Sequence, residues 1–268
     1  MSFSLSSISK GRARKAPRIV LLGVEGVGKS TFAAQSESPV LIPMKGEQGV
    51  DEIDVSKTPK VSSYNELMEV ISALYQDEHD YKTVVLDSAS ALEPLIWDEA
   101  CARNGNVDSI EKIGGGYGKG YTEAAKVWRE LTEGLDALRE DRGMSSILIG
   151  HVITADFNDP ETDPYTTYTF DVHKKAAAWL YRWADAILFA NFKRAMVQKT
   201  EQGFKKETRR GVGSGQRYLY TEKRPAHPGK NRYGLPYEMA LDFAQFKAAV
   251  DASGTTNEQA ATKTSTRK

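Results

Sequence analysis

The sequence predicts an α/β fold built around a doubly wound, mainly parallel β-sheet. Short apolar runs alternate with segments of helical periodicity from residue 18 to about residue 190. The first apolar run passes through a glycine-rich turn into a helical segment, an arrangement that places a ligand at the end of a parallel strand. Beyond residue 190 the pattern becomes that of hairpins, so we expect antiparallel strands to be added at the C-terminal side of the sheet.

The predicted elements follow one another along the chain. The strands are expected to be buried on both sides because their runs are almost continuously apolar, and the helices are predicted from apolar residues that recur on one face. Strands are predicted at 18–22, 40–42, 83–87, 146–151, 186–190 and 217–220. Helices are predicted from residue 29, at 66–75, 91–103, 176–183 and 242–250, and around Trp128 up to about Gly143. Residues 154–172 are predicted to be irregular, and a hairpin turn is expected at 201–203.

Length and composition favour one substantial domain. Residues 1–17 are polar and basic and are predicted to be a flexible arm, 18–252 the core domain, and 253–268 a disordered tail. Basic and acidic residues both number 36, so binding of nucleic acid would depend on local patches. The single cysteine, Cys101, excludes an internal disulfide framework. No apolar run is long enough to cross a bilayer, so we expect a cytoplasmic protein with no membrane partner.

The strongest local signal is the run GVEGVGKS at 23–30, which follows a predicted strand and opens a helix. This is the context that a phosphate-binding loop, or P-loop, requires, because its glycines let backbone N–H groups face the phosphates. Lys29 is expected to reach the β- and γ-phosphates, Ser30 to ligate Mg²⁺, and Thr31 to contact the α-phosphate. The predicted ATP-binding residues are Gly23, Val24, Glu25, Gly26, Val27, Gly28, Lys29, Ser30 and Thr31.

Asp87 ends the third predicted strand and is the expected second ligand of Mg²⁺. It is expected to act through water from the tip of the strand adjacent to the P-loop strand. The alternative is an acid that caps the next helix, since Ser88 and Ser90 also suit a cap. The two roles are compatible.

Two classes of P-loop protein are disfavoured by missing motifs. GTPases need a guanine-reading Asn-Lys-x-Asp after a late strand, whereas the strand at 186–190 leads into Asn-Phe-Lys-Arg. Small-molecule kinases of this kind carry an arginine-rich lid, and no such segment lies between the fourth and fifth strands. The large group of oligomeric ATPases remains.

Several segments resemble RecA-type ATPases, in order over about residues 18–250. Glu47, past the second strand, stands where that family keeps the glutamate that orients the attacking water. His151 ends the fourth strand where the family keeps a polar residue that senses the γ-phosphate. Lys230 and Arg232, with Asn231 between them, resemble a segment whose cations reach the ATP of a neighbouring subunit. The resemblance implies that Lys29, Glu47, His151, Lys230 and Arg232 are catalytic.

Four of these residues also have a simpler interpretation. Glu47 would then be an exposed turn residue, His151 would only make a backbone hydrogen bond at a strand end, and Lys230 and Arg232 would be surface cations. The chain also departs from bacterial RecA, which has glutamine as the sensor and lysine in place of Arg232.

The glycine-rich stretch 114–120 and the segment 154–172 occupy the places of the two DNA-binding loops of RecA. Single-stranded DNA is bound by cations that follow the backbone and by aromatic faces on which bases stack. The residues predicted to contact DNA are Lys112, Tyr117, Lys119, Phe157, Lys174 and Lys175. The alternative is a pair of solvated loops, which the nearby acids Asp156, Asp159, Glu161 and Asp163 favour.

The resemblance implies an ATP-hydrolysing, RecA-like homo-oligomer that binds single-stranded DNA and promotes recombination or annealing. Compact phage-encoded recombinases and annealing proteins are similar, which would place the chain in the host cytoplasm with a single-strand DNA-binding protein as a further partner. The alternatives are an ATP-driven nucleic-acid motor of the helicase or packaging type, a small-molecule phosphotransferase, and a nucleotide-gated scaffold.

Overall fold

The structure is a computed structural model that describes residues 4, 15–158, 163–199 and 208–253. The strands are β1 (Arg18–Gly23), β2 (Pro39–Pro43), β3 (Thr83–Asp87), β4 (Ser145–Gly150), β5 (Val152–Phe157), β6 (Tyr165–Phe170), β7 (Ala186–Lys199), β8 (Thr208–Tyr220), β9 (Lys230–Asn231) and β10 (Glu238–Ala240). The helices are α1 (Lys29–Ala34), α2 (Tyr64–Gln76), α3 (Ala89–Arg103), α4 (Lys119–Asp141), α5 (Lys174–Trp183) and α6 (243–253), with a short 3₁₀ helix at Ile110–Gly115. Most of the predicted arm, the predicted turn at 201–203 and the tail from residue 254 lie outside the described residues.

The central sheet has the strand order β10-β8-β7-β1-β4-β3-β2, and β9 pairs with β7. The five strands from β7 to β2 are parallel, whereas β8, β9 and β10 are antiparallel to their neighbours. The predicted fold class is therefore confirmed, including the antiparallel strands at the C-terminal side.

Helices cover both faces of this sheet. Along β1, Val20 and Leu22 pack into a core shared with α2, α3, α4 and α5. Ile19 and Leu21 pack on the other face, where Phe32 of α1 and Phe246 of α6 meet them. A strand buried on both faces gains from apolar residues at every position, which explains the continuous apolar runs of β1, β3 and β4.

The prediction of an irregular segment at 154–172 is wrong. β5 and β6 form an antiparallel hairpin in which Val152 pairs with Phe170 and Phe157 with Tyr165. The hairpin is anchored where Phe170 packs onto Gly150, since a Cβ atom at Gly150 would lie 2.4 Å from the Phe170 ring and 2.7 Å from Leu22. Most of β5 is exposed, so the segment lacks the apolar run that marks a core strand.

Two residues before Arg18 contact the core. The Ala16 carbonyl accepts a hydrogen bond from Arg139 Nε at 2.6 Å, and the Pro17 carbonyl accepts one from the Ser146 N–H at 2.9 Å. These residues of the predicted arm thus continue the edge of the core.

A buried carboxylate ties together the amino ends of the parallel strands. Asp185, which precedes β7, accepts hydrogen bonds from Arg18 at 3.0 Å, Arg139 at 3.1 Å and Arg232 at 2.9 Å. Burial alone would raise the pKa of Asp185, but the hydrogen bonds and charges of Arg18 and Arg139 outweigh it and lower that pKa. The cluster joins β1, α4, β7 and the segment after β9.

Within the described residues, no helix combines the length and the apolar character needed to cross a membrane.

Candidate functional site

The candidate site lies at the carboxyl ends of the parallel strands. β4 lies between β1 and β3, since Leu22 pairs with Gly150 and Ile149 pairs with Asp87. The expectation that Asp87 ends the strand adjacent to the P-loop strand is therefore wrong, because strand adjacency is set by long-range pairing and not by order along the chain. As a result the strand that leads to His151 lies between the strand that leads into the P-loop and the strand that ends at Asp87.

Two glycines allow the backbone conformation of the P-loop. Gly26 and Gly28 have φ angles of 69° and 99°, a left-handed conformation that residues with a Cβ atom rarely adopt. Lys29 begins α1, and its Nζ donates to the carbonyl oxygens of Gly23 at 2.9 Å and Val24 at 3.0 Å. Burial lowers the pKa of Lys29. A buried ammonium whose partners are loop carbonyls is well placed to turn to a phosphate.

Ser30 and Asp87 form the pair expected for Mg²⁺. Ser30 Oγ donates to Asp87 Oδ2 at 2.5 Å, and Asp87 is buried. Burial is the main cause that raises the pKa of Asp87. A hydroxyl and a carboxylate at this separation fit a cation that prefers oxygen ligands and retains several waters. The helix cap is supplied by Ser88, whose Oγ accepts from the Ala91 N–H at 3.1 Å, so Asp87 is not needed for that role.

Glu47 and His151 are in direct contact above this pair. Glu47 Oε1 accepts a hydrogen bond from Ser88 Oγ at 2.5 Å and lies 3.1 Å from His151 Nε2. The contact with His151 is the main cause that lowers the pKa of Glu47 and raises the pKa of His151. The Glu47 side chain is only 19% exposed, so it is not a free turn residue. The arrangement provides an ionised carboxylate beside the P-loop.

Comparison with known families agrees with this geometry. Residues 15–233 match the AAA domain family (AAA_24). The chain belongs to the AAA domain family. No curated protein matches the sequence. An AAA domain binds and hydrolyses a nucleotide, typically with Mg²⁺, so the predicted ATPase class and cofactors are supported at that level. The P-loop, Ser30 and Asp87 are the residues of this AAA domain that would hold them.

Two residues of the AAA domain that the sequence analysis did not assign to the site support it. Ser88 holds Glu47 and also caps α3. Glu93, on the same helix, accepts the His173 N–H through both carboxylate oxygens at 2.8 Å, and burial raises the pKa of Glu93 to about 7. These contacts connect the start of α3 to Glu47 and the following turn of α3 to the start of α5. The sequence indicated Ser88 only as a helix cap and did not indicate Glu93, so their support of the site is known only from the structure.

The Glu47–His151 contact predicts a measurable pKa coupling. In a Glu47→Gln variant the pKa of His151 is expected to fall towards its ordinary value of 6.5, because the neighbouring negative charge is gone. NMR titration of the four histidines, assigned with a His151→Gln variant, measures this shift. An unchanged His151 pKa in Glu47→Gln would contradict the contact.

The way in which the pair's contribution to stability depends on pH follows from the two pKa shifts. The raised pKa of His151 means that its contribution is complete below pH 6.5 and is lost as the pH rises through the raised pKa. The lowered pKa of Glu47 means that its contribution is complete above pH 4.5 and is lost as the pH falls through the lowered pKa. The pair therefore stabilises the fold most between pH 4.5 and 6.5.

Lys230 and Arg232 are not brought to the P-loop of their own chain. β9 pairs with the first residues of β7, whereas the end of β1 pairs with Ala190 further along. Lys230 Nζ donates to three carbonyl oxygens at the end of α5, and Arg232 binds Asp185. Both residues lie near the amino ends of the parallel strands, whereas the P-loop lies at the carboxyl ends. Their predicted action on the ATP of a neighbouring subunit therefore stays a prediction.

The residues predicted to contact DNA lie on the same side of the sheet as the P-loop, at the carboxyl ends of the parallel strands. α4 and α5 both lead into the amino ends of strands, so their own first residues lie at the carboxyl edge with the P-loop. Lys175 Nζ donates to the Gly118 carbonyl at 3.2 Å, and the His173 ring stacks on Tyr121 at 4.0 Å. The starts of the two helices are thus held together.

The side chains predicted to contact DNA differ in their exposure and in the contacts that they already make. Tyr117 is fully exposed, and Phe157 is 42% exposed beside Tyr165. Lys112 pairs with Asp108, and Lys119 Nζ donates to the Gly114 carbonyl at 2.9 Å. Lys174 is exposed at the first position of α5. The cations would have to exchange these contacts for phosphates.

Proposed function

We propose that this AAA domain is a DNA-stimulated ATPase that assembles on single-stranded DNA and promotes pairing or annealing in recombination. The observation that carries the proposal is the position of His151. Its side chain contacts Glu47, and the next residue begins the exposed hairpin β5–β6. His151, which would respond to a change at the γ-phosphate, is therefore the residue immediately before a hairpin that carries the exposed aromatic Phe157.

The chemistry proposed for the site is attack of water on the γ-phosphorus, which breaks its bond to the β–γ bridging oxygen and releases ADP and inorganic phosphate. Mg²⁺, held by Ser30 and through water by Asp87, would offset the charge of the phosphates. Lys29 would move its ammonium from the loop carbonyls to the β- and γ-phosphates. Glu47 would orient the water and accept its proton, because its lowered pKa keeps it ionised. His151 would hold Glu47 in place.

Two further contacts support a link between the nucleotide and the proposed DNA surface. The His151 N–H donates to Ser90 Oγ at 3.1 Å, and its carbonyl accepts from the Asp171 N–H at 3.0 Å. Asp171 follows β6, and Glu93 binds the N–H of His173. The hairpin is thus attached to His151, and the start of α5 is attached to α3, whose cap residue Ser88 binds Glu47.

The same arrangement supports a homo-oligomer. Lys230 and Arg232 lie at the edge opposite their own P-loop, so only a neighbouring subunit could present its nucleotide to them. A filament or ring on single-stranded DNA would satisfy this, and the proposal includes a single-strand DNA-binding protein as a further partner. Mass photometry with single-stranded DNA and a slowly hydrolysed ATP analogue tests assembly, and a monomer under all conditions would contradict it.

The decisive experiment is steady-state ATP hydrolysis with and without single-stranded DNA at low and raised salt. We expect stimulation that falls with salt, because phosphate contacts release counterions, and no hydrolysis by Lys29→Ala. Robust hydrolysis that ignores every nucleic acid would refute the proposed DNA dependence while leaving the ATPase intact.

Phe157→Ala is expected to weaken DNA stimulation and to leave basal hydrolysis unchanged. Loss of one stacking contact costs about 1–3 kcal/mol, so the DNA concentration for half-maximal stimulation should rise by about fivefold or more. Tyr75→Ala is the matched control, because Tyr75 is also 42% exposed but lies at the end of α2. Equal effects of the two variants would argue against a DNA contact at Phe157.

A further inference from the structure

Arg217 lies beside the P-loop on a strand that the nucleotide motifs do not include. Ala190, the partner of Gly23 at the end of β1, pairs with Leu219 of β8. Arg217 pairs with Phe192, two residues further along β7. It therefore extends past the end of β1, at the edge where the chain leaves the sheet to form the P-loop.

The guanidinium packs against the last glycine of the loop. A Cβ atom at Gly28 would lie 2.7 Å from Arg217 Nη1 and 3.9 Å from Leu241 Cδ2. The Leu241 N–H donates to the Arg217 carbonyl at 3.1 Å, which fixes the two residues relative to each other. Arg217 is exposed, and its guanidinium has no hydrogen bond or ion pair with the side chains described in this structure.

The two sides of β1 carry different groups. On the side of β4, β3 and β2 lie His151, Asp87 and Glu47, which the proposed hydrolysis requires near the γ-phosphate. Arg217 and Leu241 lie on the other side, next to β7. A triphosphate that runs across the P-loop with its γ-phosphate at Glu47 directs its nucleoside end towards β7 and β8.

We propose that Arg217 is a nucleotide-binding residue that contacts the α-phosphate, with Leu241 packed against the nucleoside. The inference rests on the nucleotide site proposed above. A guanidinium forms strong charge-assisted hydrogen bonds with phosphate oxygens. The α-phosphate is common to ATP and ADP, so the contact strengthens binding of both nucleotides and does not discriminate between them.

The test is equilibrium binding of fluorescent ATP and ADP analogues to the full chain with Mg²⁺. Arg217→Ala is expected to raise the Kd for both nucleotides by the same factor, about 10- to 100-fold, while circular dichroism and the unfolding midpoint stay unchanged. Arg217→Lys keeps the charge and is expected to give an intermediate Kd. Arg129→Ala, which removes an exposed arginine from α4, is the control and should bind like the wild type.

The outcomes separate this inference from the proposed function. An Arg217→Ala variant that binds both nucleotides like the wild type overturns the inference alone, provided that Lys29→Ala has lost binding. A loss confined to ATP also overturns it, because Arg217 would then lie at the γ-phosphate. If the wild type binds neither nucleotide, the nucleotide site fails together with the inference.

Discussion

Glu47→Gln is expected to lower kcat for ATP hydrolysis by about 100- to 10,000-fold with little change in nucleotide affinity. Glutamine keeps the shape of the side chain and an oxygen that accepts the hydrogen bonds of Ser88 and His151. It cannot accept the proton of the attacking water, so only the chemical step is lost. Single-turnover hydrolysis together with fluorescent ADP binding separates these two effects.

Glu52→Gln provides the matched control, because Glu52 is an exposed carboxylate on the same loop. It should hydrolyse ATP at the wild-type rate. A Glu47→Gln variant with near-normal kcat would show that another group orients the water. A variant that has lost nucleotide binding would show that Glu47 acts in binding and not in the chemical step.

Asp185→Asn is expected to lower the free energy of unfolding by about 3–5 kcal/mol. The change removes a negative charge that Arg18, Arg139 and Arg232 share, and the Arg18 and Arg139 side chains are only 17% and 13% exposed. Because the folded-state pKa of Asp185 is lowered, its contribution is present above the unfolded-state value and disappears as the pH falls through the folded value. Urea unfolding at pH 7 and in acid measures both effects.

Asp51→Asn is the control for this variant. Asp51 pairs with Lys60 on the surface, where its side chain is 55% exposed, and such pairs contribute about 0–1 kcal/mol. If Asp185→Asn is no more destabilised than Asp51→Asn at pH 7, the arginines do not depend on Asp185. If the two variants differ equally at pH 7 and in strong acid, the carboxylate charge is not the cause.

The sequence predicted the elements of the fold that are defined locally. β1, β3 and β4 are buried on both faces, so their composition alone distinguishes them from helices and loops. The hairpin β5–β6 was missed because its side chains alternate without an apolar face. The position of β4 between β1 and β3 was missed because the order of strands in a sheet depends on contacts far apart in sequence.

The site shows the same division. The P-loop is one continuous segment whose spacing follows from its function, so every residue of it could be assigned from the sequence. Glu47 and His151 came from a resemblance, and their mutual contact joins residues 104 positions apart. Arg217 has no motif, and its relevance follows only from its distance to Gly28. Lys230 also came from the resemblance, but in this structure its ammonium donates to carbonyl oxygens at the end of α5. Its predicted contact with the ATP of a neighbouring subunit therefore stays a prediction.

The packing of Phe170 onto Gly150 has a consequence for sequence variation among related chains. Position 150 cannot carry a side chain while an aromatic ring occupies position 170, because the two would share the same space. We therefore expect the two positions to covary, with a small residue at 170 wherever 150 is not glycine. A glycine at the position of Gly150, together with an aromatic residue twenty positions after that glycine, would then identify other chains that carry the same hairpin after the strand next to their P-loop strand.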